Sequence, residues 1–301
     1  MLHTSKHITK HQHSQNHVFL TIAPTLSRCS ELKTENTAEV LAFLSLRPVH
    51  TVVMTSFIND NGIENPLNRG KFFSYRNEQG SLEGIALIGH TTLVEARTDN
   101  ALKAFAFTAK TSETPLHVIM SSGQDADKFW NYFAGGTKQP RHTFTELLFE
   151  IKFPLLVKDC KSNLRLATKD ELLQVAEAQA EVAFLESGTD PMVRDREGFL
   201  KRCERRIEQG RTFVVFENGK LLFKADVMAE TAETMYLEGI YVAAEQRGKG
   251  IGSDCLSKLS VKLLQNVTNI CFLSNVTFKN AHRSFVKAGY KNTDSCTTLF
   301  V

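Results

Sequence analysis

The sequence predicts an α/β (α+β) chain in two halves, each half a mixed, mostly antiparallel twisted sheet flanked by helices. Three observations lead there. Runs with alternating or continuous apolar character are interleaved with runs at helical spacing over most of the length. The order of those runs in the first half recurs in the second. Asn218-Gly219 separates two apolar strand-like runs, the strongest short-range signal for a tight hairpin. At 301 residues, 42% hydrophobic and 23% charged, the chain has ordinary globular composition and length enough for about two domains.

Residues 1–35 read as a polar tail. Five of the ten histidines (His3, His7, His11, His13 and His17) crowd its start among Lys, Thr, Ser and Gln, a composition that favours a disordered tail over a metal site. Residues 39–57 form a helix broken at Arg47-Pro48, because proline restricts the residue before it and cannot donate within a helix. Asn59-Asp60-Asn61-Gly62 signals a turn. Strands at 70–77 and 82–89 pair as a hairpin across Glu78-Gln79-Gly80-Ser81. A helix at 100–108, a strand at 116–120, a helix at 125–133 and a strand at 143–151 complete a first domain spanning 36–155. Residues 154–162 read as the linker.

The second domain, 163–301, is expected to run as a strand at 163–167, helices at 170–185 and 196–209, and strands at 212–217, 220–229 and 235–242. A helix at 252–264, a strand at 269–275, a helix at 280–287 and a last strand follow.

Composition excludes several classes of protein. Net charge is +3, with basic residues scattered rather than gathered into a nucleic-acid stripe, and Trp130 and a few tyrosines offer little for base stacking. No apolar run approaches the ~20 residues that span a bilayer, and Val18-Phe19-Leu20 is too short for a signal-peptide core. Six dispersed cysteines (Cys29, Cys160, Cys203, Cys255, Cys271 and Cys296) show neither a C-x-x-C pair nor zinc spacing. They read as thiols of a reducing, cytoplasmic compartment, Cys255 and Cys271 as core residues, and no metal is expected.

One motif carries chemistry. Glu245-Gln246-Arg247-Gly248-Lys249-Gly250-Ile251-Gly252 sits between a strand and a helix. The first turn of a helix has unpartnered N–H groups and partial positive charge, so an anion docks where those groups converge. Glycines at 248, 250 and 252 clear Cβ atoms from the approach, and Arg247 and Lys249 add charge, Arg247 with a fork that fits two phosphate oxygens. A P-loop is excluded because Ala243 stands where its first glycine belongs and Gly250 follows the lysine. A dinucleotide fingerprint is excluded because position 253 is Ser and the strand at 270–274 offers no acid.

The remaining pattern, Arg-x-x-Gly-x-Gly at Arg247, Gly250 and Gly252, resembles the acyl-CoA pyrophosphate loop of the GNAT acetyltransferase superfamily. Downstream, Ala281, Phe285, Gly289 and Tyr290 follow the spacing of that family's closing segment, while Asn280 is offset from the usual asparagine. The resemblance covers roughly residues 163–301. The whole chain looks like two-domain bacterial acetyltransferases: an N-terminal GNAT-like domain without a cradle, carrying Leu44-Ser45-Leu46-Arg47-Pro48, and a C-terminal domain similar to the glycine-acyltransferase branch.

That resemblance implies an acyl-CoA-dependent N-acyltransferase that uses acetyl-CoA and an amine acceptor, with no nucleic acid or membrane partner. Arg247, Gly248, Lys249, Gly250, Ile251 and Gly252 would hold the pyrophosphate, and Ile240, Tyr241 and Val242 the pantetheine, with Asn280 and Phe285 also against the cofactor. Asn280 reads equally as a helix N-cap and Phe285 as a core aromatic. Glu238, on the strand before the cradle, is the candidate base, with Glu233, Glu230 and Asp226 as alternatives. Many family members protonate the leaving thiolate with a tyrosine where this chain has Phe285, which cannot donate. Neither Tyr290 nor Tyr241 has the spacing to replace it. A thiol with an ordinary pKa of about 8.5 leaves with modest help, so both an enzyme and a non-catalytic acyl-CoA-binding module fit the sequence. A further alternative makes the first half a docking module for another macromolecule.

Overall fold

Period-two and helical runs become strands and helices much where the pattern puts them. The computed structural model describes residues 28–152 and 161–301. The histidine-rich stretch, Cys160 and most of the linker expected at 154–162 lie outside the described residues.

In the first half the order is β1 (Cys29–Glu31), α1 (Thr37–Leu44), α2 (Pro48–Asn61), β2 (Gly70–Arg76), β3 (Leu82–Gly89), β4 (Thr91–Ala96), α3 (Asp99–Lys110), β5 (Val118–Ser122), α4 (Asp125–Ala134) and β6 (His142–Ile151). The break between α1 and α2 falls at Arg47 because Pro48 takes the first helical position, where its missing N–H costs nothing. The β2–β3 turn is held by Asn77, whose Oδ1 accepts from the N–H groups of Gln79 and Ser81.

Two strands depart from the sequence reading. The tail expected through residue 35 ends earlier, since β1 already pairs with β2, Cys29 opposite Tyr75. β4 had no turn signal before it beyond Gly89-His90. The turn is made instead by Thr92, whose Oγ1 bonds both the N–H and the carbonyl of Gly89 at 3.2 and 3.0 Å.

The second half runs β7 (Arg165–Leu166), α5 (Leu172–Ser187), α6 (Pro191–Arg194), α7 (Arg196–Glu208), β8 (Thr212–Glu217), β9 (Lys220–Glu230), β10 (Thr234–Val242), α8 (Ile251–Leu263), β11 (Asn269–Asn275), α9 (Lys279–Lys287) and β12 (Lys291–Phe300). The single turn α6 escaped the reading because four residues show no period. Its start is capped by Asp190, whose side chain accepts from Met192 N–H at 2.8 Å.

All twelve strands join one sheet in the order β1-β2-β3-β4-β5-β12-β6-β11-β10-β9-β8-β7. Among the described residues only β4–β5 and β10–β11 are parallel, so the class is the predicted mixed, mostly antiparallel one. The centre of the sheet interleaves the halves. β12, from the end of the chain, lies against β5 of the first half, while β6, from the first half, lies against β11 of the second. β6 and β12 pair with each other along their full length, Lys291 opposite Glu150 and Phe300 opposite His142.

Cores follow the sheet's faces. On the second half α8 and α9 cover Phe149, Phe223, Leu256, Phe272, Phe285 and Tyr290 in one cluster, which includes Phe149 from β6. On the first half α3 and α4 cover one face and α1 and α2 the other. α2 also crosses to the second half: Val52 packs with Leu148, Ala229 and Cys271, and Asp60 receives Arg211 Nη1 and Nη2 at 2.8 and 3.1 Å. Cys255 and Cys271 are core residues, as expected.

Expressed alone, residues 161–301 would lose β6 and leave β11 and β12 with a long unpaired edge, a template for association. Size-exclusion chromatography of that fragment should show oligomer or aggregate. A monomer that unfolds cooperatively would contradict the interdependence of the halves.

Candidate functional site

The parallel pairing of β10 with β11 ends early. Thr234, Met235 and Tyr236 pair with Asn269, Ile270 and Cys271, and beyond Tyr236 the two strands part. β10 therefore presents unpaired backbone groups along the remainder of its length on that side, Ile240, Tyr241 and Val242 among them. On its other side β10 bulges against β9, with Glu238 opposite Asp226 and Tyr241 opposite Lys224.

The bulge is held from beneath. Gly239 adopts φ +59°, and a Cβ there would lie 2.0 Å from Gln179 Oε1 and 2.6 Å from Lys224 Nζ. Lys224, fully buried, donates to Asp226 Oδ2 at 2.7 Å, to Gln179 Oε1 and to the Gly239 carbonyl at 3.3 Å. Arg206 donates to the same Asp226 oxygen at 2.8 Å and reaches Glu238 Oε2 at 3.7 Å. Burial by itself would raise the Asp226 carboxyl, but the charges of Lys224 and Arg206 beside it hold it below the usual carboxylate range. The network fixes the backbone curve that aims Glu238 outward.

The glycine-rich turn follows β10 and leads into α8. Gly248 and Gly250 have φ of +78° and +90°, and open space surrounds a Cβ at either position. Gly250 is the N-cap of α8. Arg247 N–H bonds the Ala244 carbonyl and Asp254 N–H the Gly250 carbonyl; among the described residues, the N–H groups from 248 to 253 have no backbone partner. Gly248, Gly250, Ile251, Gly252 and Ser253 line one cavity at the start of α8.

Arg247 differs from its expected role. Its Nε donates to the Val242 carbonyl at 2.9 Å and its Nη2 to Glu181 Oε1 at 2.7 Å, so it fastens the end of β10 to α5 rather than standing over the turn. Lys249 is exposed and bonds Gln246 Oε1 at 3.2 Å.

A cavity of ≈ 990 Å³ runs from this turn along the gap between β10 and β11 and into a chamber roofed by the exchanged strands. That is the upper end of ordinary ligand pockets, enough for a long substrate and a second one. Glu238, Ile240, Tyr241, Val242, Arg247, Gly248, Gly250, Ile251, Gly252, Asn280 and Phe285 all line it. Asn280 is exposed and is not the cap of α9, a position held by Phe278. Phe285 is buried, packing edge-on against Phe272 at 4.7 Å and Phe149 at 5.3 Å while one side borders the cavity. Tyr290 is buried with its hydroxyl 2.8 Å from Ser260 Oγ, away from the site.

The chamber also contains residues that sequence reasoning passed over. Tyr236 lines it two residues before Glu238, on the same face of the strand. Enclosure, then the charges of Glu146 and Glu238, push its phenol well above the ordinary value, so it keeps its proton. Glu146, on β6, accepts from Thr298 Oγ1 on β12, and burial raises its carboxyl. Glu186, near the end of α5, is exposed to the open cavity and lines its wall. Desolvation by the cavity wall first, then Glu238 and Glu146, push its carboxyl up to about 8, with Lys224 pulling the other way. Phe144 of β6 and Phe300 of β12 meet edge to face at 5.7 Å on the chamber wall. Sequence separations above 150 hid Glu146 and Thr298 from any local pattern.

The first half contains a second copy of this arrangement, closed. Thr91, Thr92 and Leu93 pair in parallel with Val118, Ile119 and Met120, and two residues beyond the last pair stands Glu95. Glu238 holds the same register position in the second half, two residues beyond Tyr236. Arg47 Nη1 lies 3.0 Å from both oxygens of Glu95 and 3.2 Å from Ser122 Oγ, filling the space that is open around Glu238. No glycine-rich turn follows β4, where Thr98 instead caps α3 directly.

Residues 172–290 match the profile of the Acetyltransferase (GNAT) family. No curated protein gives a significant match to the sequence. Among solved structures the chain is similar to a Drosophila protein from a structural genomics programme, with a TM-score of 0.66 at 8% identity over 91% of this chain and 98% of the other. It is similar to a tandem GNAT protein from the clavulanic acid biosynthesis pathway, with a TM-score of 0.57 at 12% identity over 91% and 97%. An acetyltransferase of the GNAT family from Colwellia psychrerythraea gives 0.54 at 12% identity over 91% and 99%. Residues 172–290 thus match a GNAT acetyltransferase domain, within a fold similar over both halves to that of a tandem GNAT protein.

Gly239→Ala should cost about 1–3 kcal/mol of stability, since the methyl group meets Gln179 and Lys224 at a positive φ. Urea unfolding checks the loss.

Proposed function

We propose that the protein is an acyl-CoA-dependent N-acyltransferase that moves an acetyl group from acetyl-CoA to the amine of a small molecule or protein. The observation that carries this reading is a single cavity in which the glycine-rich turn, the unpaired edge of β10 and Glu238 follow one another. The N–H groups from 248 to 253 would hold the pyrophosphate, with Lys249 supplying charge at the rim, and the β10 edge at Ile240, Tyr241 and Val242 would pair with the pantetheine amides. Asn280 and Phe285 would border the same arm from α9. Arg247 acts here by holding the turn to α5. Domain limits at 36–155 and 163–301, and a glycine-acyltransferase-like second half, belong to this reading.

The reaction needs a neutral amine, a stabilised oxyanion and a proton for the thiolate. Glu238, directly or through a water, takes a proton from the ammonium form of the acceptor. The amine nitrogen then attacks the thioester carbonyl, a C–N bond forms, and the oxyanion is met by an unpaired N–H of the parted β10 edge. Collapse breaks the C–S bond, and the thiolate takes a proton from the chamber, where Tyr236 is a protonated hydroxyl. The products are the N-acetylated amine and CoA thiol, with one proton released. Phe285 at the family's usual tyrosine position favours a second reading, a non-catalytic acyl-CoA-binding module.

Calorimetry with acetyl-CoA should show binding to the wild-type protein and none to Arg247→Ala/Gly250→Asp, which puts negative charge in the turn. Gly250→Asn, which tolerates a positive φ and adds no charge, should still bind. Equal binding by the double variant would overturn the assignment of the turn. Once an acceptor is in hand, Glu238→Gln should lower kcat by about a hundredfold and Tyr236→Phe by about tenfold, with the Kd for acetyl-CoA unchanged. Binding with no turnover of any amine would establish the module reading instead.

A further inference from the structure

The acyl end of the cavity accounts for the turn and the β10 edge. The chamber beyond Glu238 does not need to hold any part of CoA, and its walls are built by strands from both halves. Phe144 and Glu146 come from β6, Thr298 and Phe300 from β12, and Met120 from β5. On one side these walls are apolar, with the Phe144–Phe300 pair as the main surface. On the other, Glu146, Glu186 and Glu238 face a common space. Among the described residues, neither Glu146 nor Glu186 has an ion-pair partner, and Glu238 has only the distant side of Arg206 at 3.7 Å.

The closed copy in the first half shows what this geometry contains when it is complete. Glu95, at the register position of Glu238, has a cation of the chain's own, Arg47, which leads into Pro48 at the junction of α1 and α2. At the corresponding junction of α5 and α6 the second half supplies no Arg or Lys. Asp190 stands before Pro191 there and caps α6, and the acid that reaches the cavity is Glu186, in the last turn of α5. Where the first half fills the space with a guanidinium, the second leaves open the part of the cavity that Glu146, Glu186 and Glu238 share with Phe144 and Phe300.

We propose that this chamber is the acceptor site and selects a primary amine that enters as its cation and carries an aromatic or branched apolar body, the ammonium group among Glu146, Glu186 and Glu238 and the body against Phe144, Phe300 and Met120. The inference rests on the acyltransferase reading and adds the acceptor class to it. It also gives the first half a task, since β5 and β6 form half of the wall. Glu186 and Glu146 bind the cation, Glu186 giving up its own proton to solvent as the ammonium charge arrives beside it, and Glu238 removes the ammonium proton. An acceptor carrying its own carboxylate beside the amine brings a negative charge into a space that already has three acids, and is rejected.

The full chain would be tested in two stages. Calorimetry with acetyl-CoA alone reports on the acyltransferase reading independently of any amine. Initial rates of acetyl transfer are then compared for phenethylamine and isopentylamine, for phenylalanine as the carboxylated counterpart, and for ethanolamine as an amine without an apolar body. The apolar amines should exceed both others at least about tenfold in kcat/KM. Glu186→Gln should raise KM for the amine about tenfold or more with kcat changed less than the KM, and acetyl-CoA should bind it as it binds the wild type. Phe144→Ala should reduce the advantage of phenethylamine over ethanolamine. If acetyl-CoA binds but phenylalanine or ethanolamine reacts as well as the apolar amines, or no apolar amine reacts, the acceptor assignment is overturned while the acyl-CoA site stands. Failure of acetyl-CoA to bind removes the acyltransferase reading itself.

Discussion

The antiparallel pairing of β6 with β12 is the constraint on which the rest of this structure depends. Each of these strands ends its own half of the chain, and each is hydrogen-bonded to the parallel pair of the other half. The exchange turns two sheets that would each have had an open edge into one sheet without an interior edge. Its register has consequences on both faces, because a slip of one residue would reverse every side chain. In the register observed, Phe149 faces the α8–α9 core, stacked with Phe272 and edge-on to Phe285. Phe144 and Glu146 come to lie on the cavity with Phe300 and Thr298.

A second constraint acts on the backbone of β10. Burying Lys224, Asp226 and Arg206 beside the site is expensive unless each charge is matched, and here the three are arranged as cation, anion, cation with Gln179 and the Gly239 carbonyl taking further donors. The network lies under the bulge and holds a left-handed glycine whose position no side chain can share. An apolar replacement could fill the same volume, but it could not grip a carbonyl oxygen. The polar solution therefore fixes a particular strand shape, the one that parts β10 from β11 and directs Glu238 into open space.

The two halves show how one architecture serves two ends. Both have a parallel pair that parts after three residues, and both place a glutamate two residues further on. In the first half Arg47 neutralises that glutamate and a capped helix follows at once. In the second half a glycine-rich turn lengthens the connection and the glutamate is left facing a chamber. The difference amounts to a few residues at two loops.

Most elements were legible locally, since apolar period and turn chemistry are properties of adjacent residues. Asn218-Gly219, Pro48 and the glycines at 248, 250 and 252 each act on their own backbone, so their effects could be read without a fold. β1, β4 and α6 were missed because a short segment with weak turn signals takes its conformation from its neighbours. The site divides in the same way. The turn and Glu238 are contiguous in the chain and could be found from it. Glu146, Glu186, Tyr236 and the Phe144–Phe300 pair gained their meaning only from the company they keep.

What the sequence by itself determined is therefore the fold class, the order of most elements and the glycine-rich turn, all of which follow from steric and hydrogen-bonding preferences within a few residues. What only the tertiary structure decided is which strand lies beside which, the use of Arg247 as a fastener to Glu181, and the mixed aromatic and acidic chamber. Those depend on pairings between residues up to 150 or more positions apart, whose hydrogen bonds and charges act through space and leave no mark on either segment alone.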